Sequence, residues 1–387
     1  MKIADRKHCT GCGACADACP AACISMEISD EGFIFPVVDK SRCSGCGACG
    51  RVCHALNPPE KRSPAKAFAA WAKDDSVRTS SSSGGVYSVL GEYVLANGGR
   101  ISGCRFDGDM VLKHELCGQP GCTARFRGSK YVQCFTDGIY RKIRESLSGG
   151  GTVLFTGTPC QVAGLRTYLG RPYDNLITCD LVCHGIPSQK IFRSYLERHR
   201  LSPDPDKSVI AFRDLNGWGD FYIRILERGD VTWRSDDTNN EFIRAFLSGI
   251  NYNEACYECP YACMERTGDL TLADFWGLGK NTPFAGDPSK GCSLILVNTE
   301  KGANLLHAVR DSLFLEERTP EEARQGNGQL RSPATRQPMR DVFYRMDWES
   351  IAPKINYGKP SPLRRFLRVC KQRIMTVAGN RKEKGKS

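Results

Sequence analysis

The rhythm of apolar positions changes along the chain and marks out its parts. Residues 1–57 hold no sustained apolar period and are crowded with cysteine, and residues 58–66, with Pro58, Pro59 and Pro64, read as a linker. From Ala67 the pattern becomes that of a larger folded domain. AFAAWAK reads as a short strand, and past a serine and glycine loop Val86, Val89, Leu90, Tyr93 and Val94 recur at helical spacing, stopped by Gly98 and Gly99. TVLFT reads as a buried strand, GTPC as a tight loop and QVAGLRTYLG as a helix; LITCDLVCHG and QKIFRSYLERH repeat that order, the mark of an α/β core. Beyond Val209 the pattern shifts. VIAFR, FYIRILERGDVTWRS with a turn at 228–230, GDLTLADFW and CSLILVN read as strands, interrupted by helices at 240–249 and 302–312. The prediction is an α+β fold with a mixed α/β core, divided into 67–150 and 151–317, behind a small N-terminal domain. Residues 318–340 carry charge, Gly and Pro without a period, so 318–387 is expected to wrap the surface and end in a tail.

Composition changes this picture in one respect. Apolar and charged contents of 41% and 25% are ordinary for a globular protein, but 21 cysteines in 387 residues are not. The chain opens MKIADRKHC without an apolar leader, and no run approaches the ~18 apolar residues a membrane span needs. A cytoplasmic location is therefore expected, where clustered thiols point to metal more than to disulfides. The net charge of +11 sits mostly in the tail, where residues 359–387 hold ten Lys and Arg against Glu383. The body is near neutral, so no nucleic-acid-binding core is expected.

The cysteine spacing then supplies the chemistry. Cys9-x2-Cys12-x2-Cys15-x3-Cys19-Pro20 recurs as Cys43-x2-Cys46-x2-Cys49-x3-Cys53, each run built on Gly-Cys-Gly-Ala-Cys. A [4Fe-4S] cube takes four thiolates, and three at this spacing wrap one loop round three irons while Gly and Ala let backbone amides approach the sulfides. In two-cluster ferredoxins the fourth cysteine crosses to the other cluster. The assignment is therefore Cys9, Cys12, Cys15 and Cys53 for one cluster, and Cys43, Cys46, Cys49 and Cys19 for the second. His54 stands where the second run would have proline, and Cys23 is surplus. Further on, Cys160, Cys183, Cys256 and Cys259 lie in loops and would complete a third cube, but Cys179 and Cys263 compete for those roles and a lone Cys-x2-Cys is equally zinc-like. Cys104, Cys117, Cys122, Cys134, Cys292 and Cys370 are read as structural thiols.

The strings TSSSSGGVYS, FRGSKYVQ, FTGTPCQVAGL, CDLVCHGIPS, CYECPY and GDLTLADFWG, in that order, closely resemble the coenzyme F420 hydrogenase/dehydrogenase beta-subunit family, bacterial branch, with a ferredoxin module fused in front. The resemblance covers most of residues 65–315. It implies FAD and a [4Fe-4S] cluster in the larger domain, and favours Cys160, Cys183, Cys256 and Cys259 as that cluster's ligands. It also implies flavin contacts: Ser81, Ser82, Ser83, Gly84 and Gly85 presenting amides and hydroxyls at a helix start, Ser129 and Lys130 near the negative charge of flavin or pyrophosphate, Gly157 and Thr158 allowing close approach, and Asp269 and Asp274 on ribityl hydroxyls or substrate. Each has a plainer reading, as a serine cap, an exposed lysine or a turn carboxylate. His184, beside Cys183, is the candidate proton relay, and Lys130 the second catalytic candidate.

The function expected is an iron-sulfur flavoprotein oxidoreductase. It would move electrons from the ferredoxin-type clusters through FAD to a small-molecule hydride acceptor, F420-like or another metabolite, with a ferredoxin or reductase as redox donor. The alternatives are an electron-transfer subunit that feeds a partner enzyme and a cluster-bearing scaffold. In the tail, Leu363, Phe366, Leu367, Cys370, Ile374 and Val377 can share one face of a basic helix, which suits either peripheral contact with an anionic membrane or a solvated terminus.

Overall fold

The computed structural model describes residues 3–213 and 218–355, so the basic tail and its helix lie outside the described residues. Between the two cysteine runs, β1 (Ile24–Ile28) and β2 (Ile34–Val38) form an antiparallel hairpin, Ile24 opposite Val38. Each run ends in one helical turn, Ala14–Asp17 and Ala48–Arg51, started by a glycine in the left-handed region (Gly13, φ 78°; Gly47, φ 71°). At Gly13 even a Cβ would lie 2.0 Å from Thr136 Oγ1, so only glycine fits the loop against its neighbour.

The larger domain is built on strands β3 (Lys66–Ala72), β4 (Arg100–Phe106), β5 (Leu112–Cys117), β6 (Val153–Gly157) and β7 (Leu176–Leu181). After β7 come β8 (Ser208–Ala211), β9 (Arg224–Glu227), β10 (Asp230–Arg234), β11 (Leu270–Asp274), β12 (Ser293–Val297) and β13 (Leu313–Arg318). Eight of these form one mixed sheet in the order β13-β3-β12-β11-β7-β6-β4-β5. Its centre, β11-β7-β6-β4, is parallel and its flanks are antiparallel. Helices Val86–Ala96 and Glu300–Ala308 bury Leu90, Val94, Leu305 and Leu306 against Leu154, Leu270 and Ile295 on one face. Helices Ile139–Ser148 and Pro159–Leu169 cover Val153, Phe155 and Leu176 on the other. Burial on both faces accounts for the near-continuous apolar runs of these strands. The strands β8, β9 and β10 form a separate antiparallel sheet over the helices Gln189–Arg198 and Glu241–Ser248.

The strands and helices expected from Ala67 to about residue 312 are present, together with three strands the apolar pattern did not indicate, β4, β5 and β13. The linker is not loose: Arg62 bridges Arg266, and Ala65 N–H donates to Val297 at 2.8 Å, so the chain is paired before β3 begins. The surface wrap expected from residue 318 is corrected as far as Ile355. The segment after Arg340 buries Phe343, Trp348 and Ile351 in one core with Phe192, Phe212 and Phe242, because polar residues between them masked their helical spacing. No described helix is long and apolar enough to cross a membrane.

Phe343 is fully buried, so Phe343→Ala is expected to cost about 3–5 kcal/mol of stability, read as a lowered denaturation midpoint under anaerobic conditions; a surface strap would lose less than about 0.5 kcal/mol.

Candidate functional site

The two cysteine runs enclose two small cavities. Cys9, Cys12, Cys15 and Cys53 line one, and Cys19, Cys43, Cys46 and Cys49 line the other, so the last cysteine of each run reaches the opposite cavity. Cys23 joins the second set, its sulfur 3.4 Å from that of Cys19. Burial in an apolar shell pushes the Cys9 thiol up to about 11 and Cys15 to about 12. Cys46 is exposed, so the second cavity lies nearer the surface.

The first cavity abuts the larger domain. Gly164, in the helix after β6, is so close to Cys12 that a Cβ there would lie 2.9 Å from its sulfur. His54 fills the same seam, almost wholly buried. Its Nε2 lies 3.0 Å from Thr10 Oγ1 and its Nδ1 2.8 Å from Tyr261 Oη, and burial depresses its pKa to about 4, so the ring is neutral. Where a proline would turn the chain, histidine instead joins the ferredoxin loop to the segment that carries Cys256 and Cys259.

Those two cysteines share their surroundings with Cys160, at the start of the helix Pro159–Leu169, and Cys183, just past β7. They are close enough that ionising Cys160 or Cys259 would raise the Cys183 thiol, and ionising any of the other three would raise Cys256. Of the two competitors, Cys179 is sealed in the sheet core, and Cys263 receives a hydrogen bond from Lys61 Nζ at 3.3 Å. One buried ion pair holds the loops together. Asp180 Oδ1 accepts from Arg266 Nε and Nη2 (3.2 and 2.9 Å), and its Oδ2 accepts from the backbone of Thr267 and Gly268. Arg266 in turn donates to the carbonyls of Tyr261, Cys263 and Leu181.

Beyond Cys160 and Cys183 opens a cavity of about 310 Å³ at the carboxyl ends of the parallel strands, the usual ligand position in such sheets. Ser81, Ser82, Ser83 and Gly85 border it from the start of the helix Val86–Ala96, Ser129 and Lys130 from another side, and Gly157, Thr158, His184 and Asp274 from the strand ends. Lys130 curls onto the carbonyls of Phe126, Arg127 and Gly128 (3.0, 3.1 and 3.2 Å), and burial lowers its pKa to about 8. Burial and the nearby Arg213 charge lower that of His184.

Two expectations are corrected. Asp269 sits at the opposite end of β11, where its carboxylate accepts from Thr178 N and Oγ1 (2.8 and 2.7 Å) and Thr299 Oγ1 (2.8 Å), tying strands rather than facing the cavity. Gly84 lies behind the loop: its N–H donates to Ser293 Oγ at 2.9 Å, and a Cβ would meet the Ala70 carbonyl at 2.3 Å. Cys117, the last residue of β5, and Cys122, the first of the helix Cys122–Phe126, lie side by side with their Cα atoms 6.2 Å apart. Sequence reasoning also missed Arg213. Its guanidinium lies 4.0 Å over the Phe221 ring, donates to Tyr131 Oη at 2.7 Å and pairs with Asp274, while its Nη1 is buried without a partner. An arginine closing the apolar run VIAF was the available signal.

This arrangement defines an iron-sulfur electron-transfer protein with a cavity beside its thiols, mainly apolar but bordered by several polar and charged groups. Residues 8–56 match the 4Fe-4S dicluster domain, and residues 150–323 match the C terminus of the coenzyme F420 hydrogenase/dehydrogenase beta subunit. Residues 150–323 thus carry the C-terminal region of that beta-subunit family, and a dicluster ferredoxin module stands in front of them. Among solved structures it is similar to a chain of the F420-reducing [NiFe] hydrogenase complex from Methanosarcina barkeri, at 18% identity over 70% of this chain and 92% of that one, with a TM-score of 0.46. No curated protein matches it.

Arg266→Ala would leave Asp180 charged and unpaired in the core. The expected cost is about 3–5 kcal/mol in anaerobic guanidinium denaturation, and a loss below about 1 kcal/mol would contradict the role given to this pair.

Proposed function

We propose that the chain is a cytoplasmic iron-sulfur flavoprotein oxidoreductase. In this reading it carries electrons from a redox donor protein, such as a ferredoxin or a reductase, through its clusters and FAD to a small-molecule hydride acceptor, an F420-like deazaflavin or another metabolite. The observation that carries the reading is a set of buried polar atoms with no partner, Ser83 Oγ, Thr156 Oγ1 and Arg213 Nη1, on residues that line the cavity bordered by Cys160 and Cys183. Unsatisfied donors and acceptors in a buried cavity call for a polar ligand. FAD has the hydroxyls, phosphates and ring to meet them.

Cys9, Cys12, Cys15 and Cys53 would hold one [4Fe-4S] cluster, Cys43, Cys46, Cys49 and Cys19 the second, and Cys160, Cys183, Cys256 and Cys259 a third, each a one-electron carrier. FAD, when bound, supplies the exchange between single electrons and a hydride. The free N–H groups and dipole at the start of the helix Val86–Ala96 suit a phosphate, and Ser83 adds a hydroxyl whose hydrogen-bonding capacity is unspent. Arg213, neutralised on one side by Asp274, offers its remaining donor to an anionic or carbonyl oxygen. Lys130 contributes positive charge below about pH 8 without leaving its carbonyl cradle. His184, neutral at ordinary pH, can take or give a proton at a ring nitrogen beside the cavity. The exposed Cys46 marks the end at which a donor protein would dock.

Anaerobic purification followed by iron, sulfide and flavin analysis is expected to give about twelve irons and one flavin per chain, and Cys160→Ser about eight irons with the ferredoxin module intact. Eight irons and no flavin in the unaltered protein would refute the reading.

A further inference from the structure

The cavity wall contains a second group of potential ligands that belongs to none of the three cysteine sets. Cys104 on β4 is the register partner of His114 on β5, so the two side chains stand on the same face of adjacent antiparallel strands. Cys134 arrives beside them on a short rung next to β5: Phe135 N–H donates to Leu112 at 2.9 Å, and His114 N–H to Phe135 at 2.8 Å. The two sulfurs and one imidazole nitrogen all lie within 4.8 Å of one another. The edge of a tetrahedron with zinc-sulfur bonds of about 2.3 Å is about 3.8 Å, so little movement separates the three from a coordination set.

We infer that Cys104, His114 and Cys134 form a mononuclear zinc site in the wall of the cavity, with its fourth position open to a ligand bound there. His114 carries the inference. It is 2% exposed, and neither ring nitrogen makes a hydrogen bond of normal geometry, with only the Cys104 thiol and Gln161 as polar neighbours, a costly state for a buried imidazole that a metal bond relieves. Two thiolates and one imidazole, without a carboxylate, are donors that suit zinc rather than magnesium or calcium. Two thiolates also cancel the charge of the ion, which fits a buried position. A dithiol that merely cycled to a disulfide would explain the paired sulfurs but would leave His114 without a partner. Lys130 is near both sulfurs, but its ammonium is turned onto three backbone carbonyls.

Cys104 and Cys134 both line the cavity, so the open position faces it. Three protein ligands and one exchangeable site are the pattern of a Lewis-acid zinc rather than a closed structural one. The ligand class is an oxygen donor, a water or the carbonyl or hydroxyl oxygen of a small molecule in the cavity.

The test uses the full-length chain, purified without oxygen from zinc-supplied cells, with zinc absorption-edge spectroscopy and elemental analysis. The expected result is one zinc per chain, with two sulfurs near 2.3 Å and nitrogen or oxygen near 2.0 Å, and at least a tenfold lower zinc content in the Cys104→Ser/Cys134→Ser variant with iron and flavin unchanged. Zinc below about 0.1 per chain in the unaltered protein, zinc retained by the variant, or a Cys104–Cys134 disulfide in the intact mass would each overturn it. The measurement on the unaltered protein stands even if the variant fails to fold. Because zinc is read separately from iron and flavin, this inference and the proposed function can fail independently.

Discussion

The buried pair of Asp180 and Arg266 organises the centre of the molecule. Asp180 belongs to the strand that ends two residues before Cys183, and Arg266 to the loop that follows Cys259. Their side chains are 0% and 1% exposed, so each charge depends on the other and on the amides and hydroxyls around it. Removing two charges from water is unfavourable unless geometry compensates, and here both carboxylate oxygens and the whole guanidinium are engaged. The return is positional. Thiols from distant parts of the chain are brought to one place, and the carbonyls of the cysteine loop are anchored to the sheet.

Around that centre the chemistry is graded. The thiol sets run from the exposed Cys46 inward to Cys160, and from there to a cavity bordered by Arg213, by a lysine whose pKa burial lowers and by a histidine whose pKa burial and the arginine lower. His54 occupies the seam between the two domains as a neutral hydrogen-bonding ring, so the contact there is polar and directional without adding charge to a region already dense in sulfur.

How much of this was legible in the sequence depended on distance along the chain. The two cysteine runs could be read outright, because each set of near neighbours lies within seven residues and the run is written twice. Strands buried on both faces, such as TVLFT and CSLILVN, could be read from unbroken apolar composition. The strands β4 and β5 could not, since RISGCRF and LKHELC mix polar residues with a glycine and pair with each other at an edge of the sheet. Asp269 and Asp274 illustrate the limit at the site. They stand at the two ends of one strand, five residues apart, but only the strand's direction decides which faces the cavity, and that direction follows from pairing with β7. Arg213 and His114 were invisible for a related reason: each gains its meaning from partners 61 residues or a strand away, not from its neighbours in sequence.

The way the ferredoxin module is seated has a kinetic consequence. Gln133 grips Ile34 N and Thr10 O, Lys190 reaches Asp30 O at 2.8 Å, Thr167 holds Val52 O at 2.7 Å, and Arg340 clasps Glu31. A unit riveted at so many separated points cannot swing like a tethered carrier. Its redox centres keep fixed spacings, so internal transfer is governed by tunnelling distance and driving force, and thickening the solvent should slow only the meeting with an outside donor.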